Sequence, residues 1–237
     1  KTYYVPERCV IVLVGNVDPE EDFKMIQKYF GSWGKKSSPL IRFPEEPEQI
    51  GIRRAHVDFK ASPQMAIGFH GPLYGKKEYY AMRVLAWTLF PGRSSILEKT
   101  LVNTGKASEI DIWEENWDRK AKSLLGIVVH PMKDVDFNTI EDEIFSVLDS
   151  LKENGISEKD LRRAKNNIKM NLLRRRRYPL WFAIGIGDGE RVMGDPEFYK
   201  KELEMIESIT NEDVQEILKD YLRKEKSTIV TLGEEKV

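Results

Sequence analysis

The chain has 237 residues, and its 38 basic and 39 acidic side chains leave a formal net charge of −1. Because the two signs balance, no overall field would attract nucleic acid or an anionic membrane surface, and we expect neither as a partner. No apolar run approaches the ~20 residues that a membrane-spanning helix needs, so we expect no membrane span.

The first part of the chain predicts one strand and one helix. Residues 9–14 form a continuous apolar run that indicates a buried strand, and the single cysteine in it, Cys9, is predicted to pack in a core. Asp18 before Pro19 is typical of a helix start, and Gly31 marks the expected end of that helix. Residues 34–49 are rich in Lys, Ser, Pro and Glu without periodicity and are interpreted as a linker. We therefore expect three parts: 1–33 closing a preceding domain, 34–49 as linker, and 50–237 as the main domain.

The main domain begins with predicted strands and short helices. Two strands, 52–59 and 64–70, are predicted to form a hairpin through the turn at 60–63. Helices are predicted at 78–90 and 94–103, and a second hairpin at 107–113 and 123–130.

The second half of the chain is predicted to be mainly helical. The expected helices are 136–153, 157–177, a more apolar one after Pro179, 195–208, and a last one that Thr210 and Asp213 open as a capping box. A strand at 228–232 closes the domain. Strands first and helices later, without βαβ alternation, predict an α+β fold: a mostly antiparallel sheet with helices packed on one face.

The two ends of the chain resemble each other. Both 4–15 and 221–233 read as a tyrosine, a charged turn, a β-branched run and a glycine. This similarity predicts that one structural position occurs twice and that the chain belongs to a longer, internally repeated protein.

Motifs that carry chemistry are mostly missing from this sequence. His56, His70 and His130 each stand alone in a strand pattern, with no His or Cys at metal-ligand spacing, so we predict no metal site. There is no Gly-x-Ser-x-Gly elbow for a serine nucleophile. The arginine run at 174–177 is interpreted as the solvated end of a helix. We predict no catalytic residue in this chain.

The order of several short motifs resembles one known family over essentially the whole chain. These motifs are Gly15-Asn16-Val17-Asp18-Pro19, Gly71-Pro72, Leu89-Phe90-Pro91-Gly92-Arg93-Ser94-Ser95, Gly105-Lys106-Ala107, Asn154-Gly155-Ile156-Ser157 and Ile209-Thr210-Asn211-Glu212-Asp213. Together they resemble the pitrilysin/insulinase family of zinc metallopeptidases, and the resemblance implies the metallohydrolase-like half-domain fold of that family.

The resemblance points to the silent domain that follows the zinc-binding domain. Family members hold zinc through an inverted His-x-x-Glu-His motif, which is missing from this sequence. The arginine and tyrosine that flank the Gly-x-Ala stretch in complete enzymes are replaced here by Val102 and Ser108. The resemblance therefore implies that this chain binds no cofactor and is inactive alone, with zinc expected in the preceding domain of the parent protein.

Two segments are predicted to contact peptides. The resemblance implies a domain that forms part of a chamber wall and binds peptides as an added strand. The strand predicted at 107–113 alternates polar and apolar residues, as expected of a strand with one polar face. If its edge is unpaired, it would offer backbone groups to a peptide at Ser108, Glu109, Ile110, Asp111 and Ile112. Ser94 and Ser95, at a predicted helix start, are expected to offer backbone amides to a peptide carboxylate.

The expected partners follow from this interpretation. They are peptide substrates, the preceding zinc-binding domain, and a second half-molecule or subunit. Residues 1–33 are also expected to self-associate, because the apolar stripe of Phe23, Ile26 and Phe30 lacks a surface to pack on. The alternative is a domain of a non-proteolytic relative that serves as a core subunit in protein assembly.

Overall fold

A computed structural model describes residues 2–34, 39, 46–115 and 121–234. The chain forms two compact units. One consists of Lys1–Pro47 and Asn171–Lys201, and the other of Glu48–Met170 and Glu202–Val237. The predicted linker at 34–49 falls largely outside the described residues.

The described elements match most of the predicted helices and strands. The helices are α1 (Pro19–Phe30), α2 (Lys77–Leu89), α3 (Phe137–Asn154), α4 (Glu158–Arg176), α5 (Pro179–Asp188), α6 (Phe198–Ser208) and α7 (Asn211–Asp220). The strands are β1 (Arg53–Asp58), β2 (Gln64–Leu73), β3 (Ala107–Glu115), β4 (Lys122–Pro131) and β5 (Ser227–Gly233). Short 3₁₀ turns occupy Pro6–Arg8 and Lys224–Lys226, and π-type turns occupy Glu98–Val102 and Gly189–Met193.

The second unit contains one five-stranded sheet in the order β1-β5-β2-β4-β3. The β1·β5 pair is parallel and the other three pairs are antiparallel, so the sheet is mixed but mostly antiparallel. This confirms the predicted fold class. The predicted hairpin between 52–59 and 64–70 is wrong, because β5 lies between β1 and β2 and pairs with both. Strands β1 and β2 each form hydrogen bonds with β5, which comes much later in the chain, and do not pair with each other across the turn at 60–63.

Helices pack on one face of this sheet. That face carries the buried side chains of Met65, Ile67, Phe69, Ile127, Val129 and Ile229. Phe69 meets Phe145 of α3 edge to face, with ring centroids 6.3 Å apart. The α3 helix buries residues three or four positions apart, namely Ile140, Ile144, Leu148 and Leu151, as a helix with one apolar stripe does. On the other face the sheet is more open, and Val57 and Leu124 are 46% and 39% exposed.

Two local start signals are confirmed in atomic detail. Asp18 Oδ1 accepts hydrogen bonds from the backbone N–H groups of Glu20 and Glu21 at the start of α1, at 3.1 and 3.2 Å. At the start of α7, the N–H of Asp213 donates to Thr210 Oγ1, and the N–H of Thr210 donates to Asp213 Oδ2. Each cap satisfies amides that the first turn of a helix leaves without partners.

The prediction of a buried strand at 9–14 is wrong in this structure. These residues lie outside any strand, and Val10, Ile11 and Leu13 are 44%, 46% and 49% exposed. Cys9, predicted to pack in a core, is exposed. An apolar run becomes a strand only when another strand accepts and donates its hydrogen bonds, and the described residues offer 9–14 no such partner.

The end segments share more than sequence. Each has a 3₁₀ turn directly before its apolar run, at Pro6–Arg8 and at Lys224–Lys226. Each run ends at a glycine with positive φ, which is 146° at Gly15 and 159° at Gly233. The difference is in pairing: the second run is β5, which lies between two other strands.

Smaller differences concern helix starts. The helix predicted over 94–103 is a short helical segment whose regular part is the π-type turn Glu98–Val102. The helix predicted from 195 begins at Phe198. Pro and Gly residues near both segments predict a helix start there, but packing determines the residue at which the regular hydrogen bonds begin.

Candidate functional site

The β3 strand forms one edge of the sheet. Within the described residues β3 pairs only with β4, so its other side presents backbone N–H and C=O groups without a neighbouring strand. The register of the pair shifts between Ala107 and Glu109, and Ser108 Oγ donates a hydrogen bond to the His130 carbonyl at 3.2 Å. Such an edge can accept an added strand.

The side chains of β3 alternate between the two faces of the sheet. Ile110 and Ile112 pair with Val129 and Ile127 and point to the helix-covered face. Glu109 and Asp111 point to the other face and are exposed. Ser108 to Ile112, which we predicted to contact peptides, therefore lie together on one edge with an acidic side and an apolar side.

Trp113 lies on the open face, across β4. It pairs with Gly126, and a Cβ built on that glycine would come within 2.2 Å of the indole ring. Glycine at this position lets the ring lie flat on the neighbouring strand. Trp113 therefore packs against the sheet and is only partly exposed.

A cavity of about 250 Å³ lies beside this edge, on the helix-covered face. It is lined by Ala86, Trp87, Phe90, Pro91, Ile112 and Glu114. The first four come from the end of α2 and the turn after it, and the last two from β3. This cavity is not predicted from the sequence, because Trp87 lies within the helix predicted at 78–90 and Pro91 follows the end of that helix. No short-range sequence pattern predicts that these residues lie next to Ile112.

Glu114 gives the cavity a polar end. Its carboxylate lies 3.8 Å from Arg83 Nε of α2, which is an ion-pair distance but longer than a hydrogen bond. Burial raises the pKa of the Glu114 carboxyl, and the Arg83 guanidinium opposes this shift. The Arg83 Nε is buried without a hydrogen-bond acceptor among the described residues.

Ser94 and Ser95 lie apart from this cavity lining. The Ser94 carbonyl and hydroxyl oxygens accept hydrogen bonds from Arg163 Nη1, at 3.1 and 3.2 Å. The Ser95 side chain is fully buried, and its backbone N–H donates to the Gly92 carbonyl at 2.8 Å. The binding of a peptide carboxylate at these two serines stays a prediction, and the Ser95 amide already has an acceptor within the chain.

The histidines are dispersed over the sheet. His56 Nδ1 lies 2.9 Å from Thr231 Oγ1, and His130 Nε2 lies 3.1 Å from Gln64 Nε2. His70 is on the open face of β2. In the part of the chain that the structure describes, no three His, Cys, Asp or Glu side chains are grouped so that they could hold a metal ion. These residues do not fit a zinc site, and no chemical step is assigned to zinc in this chain.

None of the helices described is long and apolar enough to cross a membrane.

Comparison with known proteins gives a family and a fold. Residues 1–168 match the family model of the peptidase M16 inactive domain. The zinc protease PqqE of Helicobacter pylori is 26% identical over 175 residues, which are 72% of this chain and 39% of that protein. The chain therefore spans less than half the length of this curated relative.

Solved structures share the fold. A protease from Helicobacter pylori superposes with a TM-score of 0.81 at 23% identity, over 92% of this chain and 54% of that one. The ferredoxin protease FusC, solved in complex with Arabidopsis ferredoxin, has a TM-score of 0.70 at 12% identity, over 93% of this chain and 24% of that one.

Proposed function

Because the chain belongs to the family of peptidase M16 inactive domains, whose relatives include zinc proteases, we propose that it is the non-catalytic, substrate-contacting domain of such a protease. In this proposal the zinc and the catalytic residues belong to a preceding domain of the parent protein. The FusC structure shows that one protease of this fold binds a protein partner, ferredoxin.

The observation that carries the proposal is the edge position of β3. A peptide in extended conformation would add to this edge by backbone hydrogen bonds and would need no particular sequence to do so. Glu109 and Asp111 on one side, and Ile110 and Ile112 on the other, give the edge two chemically different sides. The neighbouring cavity supports the same use, because two of its lining residues, Ile112 and Glu114, belong to β3.

A peptide titration tests this proposal. We expect short peptides of mixed sequence to shift the backbone amide resonances of residues 108–113 in the isotope-labelled chain. The matched control is the same peptides with alternate amides N-methylated, which cannot donate the hydrogen bonds of an added strand and should leave these resonances in place. If neither set shifts 108–113, β3 is not a peptide edge.

A second part of the proposal concerns residues 1–33. Val10, Ile11 and Leu13 are exposed, and the run resembles β5 in its 3₁₀ turn and its terminal glycine. We propose that 9–14 pairs with the sheet of the preceding domain, as β5 pairs within its own sheet. The exposed Phe23 and Phe30 of α1 would then pack on that domain, or on a second copy in the isolated chain.

The assembly-subunit alternative makes the same contacts without proteolysis. The sequence of the parent protein before Lys1 distinguishes the two. An inverted His-x-x-Glu-His motif there, or in a partner subunit, supports the protease, and its absence from both supports the assembly subunit.

A further inference from the structure

We propose that the cavity beside β3 is a subsite for one tyrosine-like side chain of a bound peptide, and that Glu109 and Asp111 select a basic residue next to it. This inference rests on the proposed function of β3 as a peptide edge. It adds the chemistry of the peptide: an extended segment in which a lysine or arginine stands next to an aromatic residue.

The position of the cavity determines which peptide residue would enter it. Ile112 and Glu114 are two residues apart on β3, so both side chains point to the helix-covered face, where the cavity lies. Side chains of an added strand alternate in the same way. One peptide side chain would therefore enter the cavity, and its two neighbours in sequence would point to the open face.

The size and lining of the cavity favour an aromatic side chain. Its volume of about 250 Å³ is below the ~300–1,000 Å³ of typical small-molecule sites, which suits a single side chain. Trp87, Phe90 and Pro91 supply a largely apolar wall with two aromatic rings. Such rings contact another ring favourably, edge to face or offset.

The polar end of the cavity favours a hydroxyl at the tip of that ring. Glu114 lines the cavity and is too far from Arg83 Nε for a hydrogen bond, with 3.8 Å between the two groups. A tyrosine hydroxyl could donate to the Glu114 carboxylate, whereas a phenylalanine would leave that carboxylate facing a ring edge.

The open face supplies the charge selection. Glu109 and Asp111 are exposed there, and neither has a cation within ion-pair distance among the residues that the structure describes. A peptide residue opposite Ile112 would have one neighbour opposite Asp111, with Glu109 on the diagonal, and the other neighbour opposite Trp113. Lysine or arginine at the place opposite Asp111 would be attracted to these carboxylates, and aspartate or glutamate there would be repelled.

Matched peptides test the inference without altering the protein. We would titrate the full chain with three short peptides that differ only at their centre: Lys-Tyr-Lys, Lys-Ser-Lys and Glu-Tyr-Glu. Loss of the buried ring should weaken binding by about tenfold or more, since burying an aromatic side chain is worth roughly 1.5–3 kcal/mol. Charge reversal should weaken binding severalfold at low salt, and this difference should shrink as salt rises.

A protein variant provides the complementary test. Asp111→Asn changes an exposed side chain and should weaken binding of the Lys-Tyr-Lys peptide severalfold. The affinity of the variant for this peptide should then be closer to its affinity for the Glu-Tyr-Glu peptide. Asp149→Asn on α3, where the side chain is 64% exposed, is the matched control and should leave all three affinities unchanged.

The outcomes separate this inference from the function on which it rests. If all three peptides shift residues 108–113 with equal affinity, the edge binds peptides but the subsite does not exist. If none shifts them, both the subsite and the peptide edge are wrong. Only a dependence on the ring and on the charges together supports the inference.

Discussion

One buried carboxylate, Glu141 of α3, joins the edge strand β1 and the turn before β5 to the helix layer. The Glu141 side chain is 4% exposed, and Arg54 donates to its two oxygens at 2.7 Å each. Lys224 Nζ lies 2.7 Å from Oε1. The Arg54 hydrogen bonds, with a smaller contribution from Lys224, lower the pKa of Glu141 to about 2, although burial opposes this.

We predict that Glu141→Gln destabilises the fold in a pH-dependent way. The pKa of Glu141 falls from its ordinary value of 4.5 to about 2 in the folded chain, so its ionised form stabilises the fold above pH ~4.5 and this contribution is lost as pH falls toward ~2. We expect Glu141→Gln to lower the free energy of unfolding by about 2 kcal/mol at pH 7. This is less than the full pKa shift implies, because Arg54 and Lys224 are half exposed and solvent screens their charges.

Urea unfolding at pH 7 and at pH 3 measures this effect. The difference between the native chain and Glu141→Gln should be clearly smaller at the lower pH. Glu153→Gln, an exposed position on the same helix, should change the unfolding free energy little at either pH. A difference that is the same at both pH values would contradict the ionic role of Glu141.

At the scale of elements, the capping box of α7 is the local signal that sequence and structure share most directly. Thr210 and Asp213 satisfy each other's backbone N–H groups at 3.2 and 2.8 Å. Asp213 also forms an ion pair with Lys77 of α2, at 2.6 Å. Val214, Ile217 and Leu218 of α7 are buried, so this short helix depends on both its cap and its packing.

We predict that Thr210→Ala lowers the free energy of unfolding by about 1 kcal/mol, because the Asp213 amide loses its acceptor. Thr210→Ser keeps the hydroxyl and should restore most of that loss. Thermal unfolding followed by circular dichroism compares the three proteins. Equal stability of the alanine and serine variants would show that the hydroxyl contributes nothing.

At the scale of the whole molecule, the first 33 residues include several exposed apolar side chains. Phe23 and Tyr29 are 65% and 67% exposed, and Phe30 is 48% exposed. Exposed apolar patches of this kind commonly mark interaction surfaces. This agrees with the proposal that α1 and residues 9–14 pack on another domain.

We predict that the isolated chain self-associates through this surface. Light scattering over a concentration series should show a mass that rises above that of a monomer. The double change Phe23→Ser and Phe30→Ser should abolish the rise, since it removes two exposed rings from α1. Phe59→Ser, at a position that is 63% exposed outside this segment, should not. A native chain that stays monomeric at every concentration would contradict the prediction.

The sequence by itself determined the local elements: the ranges of most helices, the caps at Asp18 and Thr210, and the alternation of β3. These features depend on residues a few positions apart, so a single sequence contains them. Its motif order also indicated the family that the comparisons show.

The tertiary structure alone decided which strands meet. Arg53 pairs with Thr228, and Trp87 lines a cavity with Ile112. The run at 9–14 is as apolar as β5 yet forms no strand. A strand exists only when a second strand supplies its hydrogen bonds, and the choice of that partner depends on contacts between residues far apart in the chain. The edge of β3 and the cavity beside it arise from those contacts, which is why only the tertiary structure located the candidate subsite.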